Sequence, residues 1–251
     1  MGGTRPVRSA APTLERMSEQ RATESPSVAP AAGPEALLAL LGLAAYTELG
    51  TFGLVASRSV DAPDLATRQV LAGVSSRVLA RQEALLALGA ARGVDAVELM
   101  APFDGVLADF DARTTPSSWW EGLLKGTVGH GVAHDLCRTL AHGLPEPDAA
   151  AVLAVVGEVE RDGEATTLLA TAAAANEVLA SRLALWGRRV VGEALTLAQS
   201  VLTTRPVLAG LAQDAGARLG VDIGGAGVQP WLLQRLTAEH TRRMDRMRLA
   251  A

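Results

Sequence analysis

Proline and glycine divide the chain after residue 33 into six apolar-periodic segments of more than twenty residues each. Long helices with short connections are most simply packed as antiparallel neighbours, so the pattern predicts a helix bundle. Pro34 suits a helix's first turn, and a first helix is expected over Glu35–Ser57. A second is expected from Pro63 to the stop at Gly93, with Asp61 as its cap. Pro102 breaks the segment Asp95–Arg113. A third helix follows Thr115-Pro116-Ser117-Ser118 and ends near Gly143, and Pro145 and Pro147 mark the next turn. Further helices are expected over Asp148–Ala173, Asn176–Thr203, 207–219 and Gln229–Leu249.

Composition agrees with that architecture. Apolar residues make up 49% of the chain and aromatics 3%, so the core must be built of Leu, Val and Ala, of which Leu and Ala are strong helix formers. The β-favouring Ile, Tyr and Phe are scarce. Residues 1–33 mix Pro, Ala, Ser, Glu and Arg without periodicity, the signature of a disordered tail.

A net charge of −4 provides no global attraction to nucleic acid or anionic membrane. Lys125 is the only lysine, which reads as a compositional bias towards Arg. Cys137 is the only cysteine and excludes an intramolecular disulfide or a Cys-based zinc or iron–sulfur site. No secretory h-region precedes Pro34, and Glu48 interrupts the apolar run Leu37–Leu43. A soluble, cytoplasmic protein with no membrane contact is expected, with self-association left open.

Several polar residues fall on inward-facing stripes. Glu48 lies about 20° from Leu37 around the first helix. Buried alone, its carboxylate would be costly, so it needs a partner or an exit to water. Arg81 interrupts the stripe Leu71, Val74, Val78, Leu85, Leu88. It either snorkels at the rim or pairs with Glu48 across the core. His130 and His134 are an i, i+4 pair, but His130-Gly-Val-Ala-His134 lacks the Glu of a zinc-protease motif. Glu158, Glu160, Arg161, Asp162 and Glu164 are five charges in seven residues, the pattern of a solvated face. Glu158 and Arg161 nevertheless repeat the separation of Val78 and Arg81. Gly220–Gly227 lacks the Lys-Ser/Thr ending of a phosphate-binding loop and reads as a connector.

Five segments carry a resemblance: Leu40–Phe52 (LLGLAAYTELGTF), Met100–Phe103 (MAPF), Ser118–His130 (SWWEGLLKGTVGH), Arg182–Leu195 (RLALWGRRVVGEAL) and Leu236–Met244 (LTAEHTRRM). In order and spacing they resemble actinobacterial ferritin-like proteins related to the diiron tRNA hydroxylases, which act on 2-methylthio-isopentenyladenosine. The likeness spans about residues 35–248. It implies an all-α, ferritin-like antiparallel four-helix bundle over 34–251 with additional C-terminal helices. Such bundles hold two metals with a Glu from each of two helices and a Glu-x-x-His from each of the other two.

Carried over by position, the resemblance makes Glu48 the first-helix ligand, with Val78 and Arg81 where the acid and imidazole of the second helix would stand. It places His130 at the third-helix acid, Glu158 at the fourth-helix acid and Arg161 where a histidine would follow. No Glu-x-x-His or Asp-x-x-His exists in the chain. Arg has no lone pair to offer a metal and stays protonated. The expectation is therefore a degraded metal site filled by ion pairs, no cofactor, and a binding or structural role. The alternative is an active oxygen-dependent diiron hydroxylase with ligands rearranged among Glu48, His130, His134, Asp135, Glu158 and Glu160. Iron storage is disfavoured, because it needs a cage and a ferroxidase site. Arg235, Arg242, Arg243, Arg246 and Arg248 offer a candidate RNA contact, but a basic run without stacking aromatics reads first as the solvated face of an amphipathic helix packed through Leu232, Leu236 and Met244.

Overall fold

A computed structural model describes residues 1–3, 33–157, 163–221 and 227–249. These residues form ten α-helices and one 3-10 turn, with no β-strand among them. The helices are α1 (Pro34–Val60), α2 (Leu65–Ala90), α3 (Ala96–Met100), α4 (Ala108–Arg113) and α5 (Trp119–Ala141). They continue as α6 (Asp148–Val156), α7 (Gly163–Ala175), α8 (Glu177–Thr204), α9 (Pro206–Arg218) and α10 (Val228–Arg246).

Local chemistry sets the boundaries. Pro34 opens α1. Asp64, rather than Asp61, caps α2 and accepts from Thr67 N at 2.7 Å; Asp61 instead closes α1. Ser118 caps α5, and the Glu121 carboxylate returns to Ser117 N at 2.6 Å. Asn176 ends α7's run and caps α8 by accepting from Leu179 N. The single helix expected over Asp148–Ala173 is not seen: α6 ends at Val156, Gly157 is its C-cap, and α7 begins at Gly163.

The hub is α5, where sixteen of 23 residues are buried. α1 and α2 pair as a hairpin. α1 runs antiparallel to α5, since Gly122 meets Arg58, Gly126 meets Leu54 and His130 meets Thr51. α6 and α7 close the bundle against α2 and α5. α8, α9 and α10 add a second layer beside α5. The result is the expected four-helix bundle with additional C-terminal helices. By length and composition α1 could cross a membrane, but it is packed as a core helix against α2 and α5.

Two indoles tie the start of α5 to the end of α1 and to the interior of α8. Trp119 Nε1 donates to Arg58 O at 2.9 Å, and Trp186 Nε1 donates to Glu121 O at 3.0 Å. The buried apolar residues form two clusters. One holds Leu40–Ala45, Leu85 and Leu136–Leu144, and the other holds Val55, Leu71–Val78 and Leu123–Val128. Glu48, Arg81 and His130 lie in sequence between the two sets on α1, α2 and α5.

Candidate functional site

A polar layer therefore divides the core. Glu48 is 3% exposed, so its charge must be met inside the protein. Arg81 reaches it across the bundle: Nη2 and Nε lie 3.2 and 3.3 Å from Glu48 Oε2. The other carboxylate oxygen, Oε1, is 3.9 Å from His130 Nε2. Thr51 Oγ1 lies 3.0 Å from His130 Nδ1 and donates to Thr47 O at 2.8 Å. Its one hydrogen is used there, so Thr51 accepts from His130 Nδ1–H. Arg81 Nη2 approaches the other ring nitrogen, Nε2, at 3.5 Å. The guanidinium thus contacts both the carboxylate and the imidazole that a first-helix and third-helix ligand pair would offer a metal.

One turn along α5, His134 is buried and its Nε2 has no hydrogen-bond partner. Burial, then the nearby His130 and Arg81, push its pKa down to about 2, so the ring is neutral. Cys137 is buried too, and burial followed by the Glu48 charge pushes its thiol up to about 12. A thiol so shifted stays protonated at neutral pH and behaves as a small apolar side chain. Asp135 is occupied by Arg243 of α10, whose Nη2 lies 2.7 Å away.

The structure brings Glu48, Arg81 and His130 together, with His134 adjacent. Glu158, Glu160 and Arg161 lie outside the described residues. Asp135 faces α10 rather than this layer. The five C-terminal arginines do not form one basic surface. Arg243 is buried on Asp135, Arg235 is half-buried with Nε 3.3 Å from Thr139 Oγ1, and Arg242 pairs with Glu239 at 2.6 Å. The helical period sends residue 243 to the same face as Leu236 and His240, which removes it from any solvent-facing patch.

Sequence reasoning missed two features. Thr51 fixes the His130 tautomer, and its only signal was its place one turn beyond Thr47 on α1. Lys125 is, in composition, only an exception to an Arg bias, yet its side chain is 6% exposed and its Nζ lies 2.7 Å from Asp111 Oδ1.

The donor set can be weighed against a dinuclear iron centre, which takes about four carboxylates and two imidazoles. Among the described residues, no group of three or more His, Cys, Asp or Glu side chains is placed to hold a metal ion. The described residues of this layer supply one carboxylate and two imidazoles, with a guanidinium beside them, fewer donors than such a centre takes.

The family model of the ferritin-like domain of actinomycetes matches residues 33–215. No curated protein matches the chain.

Proposed function

Because the chain belongs to the ferritin-like domain family of actinomycetes, we propose that it is a diverged relative of the diiron tRNA hydroxylases whose metal site has been replaced by an ion-pair network. On this reading the bundle serves a binding or structural role. The observation that carries it is Arg81 Nη2 at 3.2 Å from Glu48 inside the core. A fixed positive charge there repels a divalent cation and consumes the carboxylate that would bind it. The motif segments Leu40–Phe52 and Ser118–His130, which contain Glu48 and His130, support the kinship.

The test is metal analysis of the full chain purified anaerobically under iron-replete conditions. Substoichiometric iron and no oxygen-dependent absorption band are expected. Two irons per chain would overturn the reading.

A second reading, the oxygen-dependent diiron hydroxylase with rearranged ligands, draws on the unpartnered His134 Nε2. It requires iron to bind in that same titration and His134→Ala to reduce the bound amount.

A further inference from the structure

A channel of about 420 Å³ runs along α5 between α1, α4 and α8. That volume is within the range of about 300–1,000 Å³ typical of small-molecule sites. On α5 its wall extends from Lys125 to Cys137, and on α1 from Ser57 back to Leu43. At 1.5 Å per residue the α5 span is about 18 Å long. Volume over length gives a mean cross-section of about 23 Å², one alkyl chain wide.

Small residues make the room. Gly50, Gly53, Gly126, Gly129, Ala133 and Ala198 all line it. At Gly129 a Cβ would come within 2.9 Å of the Phe110 ring, so α4 sits directly over this glycine.

The polar groups are unevenly placed. Thr51 and His130 on one wall satisfy each other, and the Cys137 thiol is neutral and apolar in character. Charge is confined to one end, where Lys125 meets Asp111. The Lys125 ammonium is buried, whereas the Asp111 side chain is 59% exposed on α4, a helix with no buried residue. An ammonium has three hydrogens to donate, so it can take a second carboxylate beside Asp111 or in its place.

We infer that this channel binds a linear aliphatic carboxylic acid, its carboxylate on Lys125 and its chain lying along α5 towards Cys137. A cationic amphiphile would meet Lys125 with like charge. An uncharged alcohol would fill the same space without the charge-assisted bond. The inference goes beyond the reading of the polar layer and stands whether or not iron is found at Glu48.

Calorimetric titration of the full chain with dodecanoate, dodecan-1-ol and dodecyltrimethylammonium, each below its micellar concentration, tests it. Dodecanoate should bind one per chain, about tenfold or more tighter than the alcohol, and the cation should not bind. Lys125→Met should abolish the preference for the acid.

Equal affinity for acid and alcohol in the native protein would overturn the inference. So would an acid preference that survives Lys125→Met. If Lys125→Met fails to fold, the comparison of the three ligands on the native protein decides alone.

Discussion

Arg81 and Glu48 are 12% and 4% exposed at their side chains, and removing one takes a buried ionic partner from the other. Arg81→Ala should cost about 3–5 kcal/mol, read by urea denaturation. The Glu48→Gln/Arg81→Ala double variant should lose less than the sum, with a coupling of about 0.5–3 kcal/mol. Strict additivity would remove the pair. His240 offers a test by pH. It is 3% exposed, and burial, then Arg243, lower its pKa from 6.5 to about 4. The unfolded chain binds this proton below pH 6.5 and the folded chain does not, so His240 opposes folding as pH falls from 6.5 to about 4. Stability should drop by about 1.4 kcal/mol per pH unit in that window from this residue. His240→Met should flatten the slope of unfolding free energy against pH, read by urea denaturation, by that amount. At this scale the sequence was informative where periodicity acts: Glu48 and Arg81 both lay on inward stripes. It was silent on Lys125 and Asp111, because they meet across a loop that no helical period constrains. Arg243 was visible only as one arginine among five.

Helix contacts depend on glycines that admit a neighbouring backbone. A Cβ at Gly42 of α1 would stand 2.2 Å from the Leu99 carbonyl oxygen of α3. Gly42→Ala should therefore displace α3, costing about 1–3 kcal/mol and reducing amide-exchange protection around Leu99. Unchanged stability and protection would show that the α1–α3 contact yields freely. At Gly131 the obstacle is the Arg243 guanidinium, 2.2 Å from a built Cβ. Gly131→Ala should therefore break the bond to Asp135 and behave like Arg243→Ala in thermal melts, the two losses being non-additive. The long helices were readable to within a few residues, since caps such as Ser118 and Asn176 leave local signatures. The break after Val156 was not. Gly157 is a lone local signal, and the charges that follow it suit a solvated helix face as well as a break.

The family match ends at residue 215, yet the packed unit continues to Leu249. Leu232, Leu236, Met244, Met247 and Leu249 are all within 1% of full burial, and Met244 meets Gly187 of α8. Each such side chain contributes about 1.5–3 kcal/mol, against a net stability of about 5–15 kcal/mol for a domain. A chain ending at Leu219 should lose its cooperative thermal transition and elute as aggregate in gel filtration; a sharp native-like melt would assign α10 a peripheral role. The bundle class was legible from segment lengths and composition. The interlocking of α10 with α5 was not, because it depends on long-range contacts. One feature of the interior has a wider effect. His130, with Thr51 and Gly126, lines both the apolar channel and a second, more polar hollow of about 650 Å³ beside His134. A change of side chain at residue 130 therefore alters two hollows at once, one lined mostly by apolar atoms and the other evenly mixed.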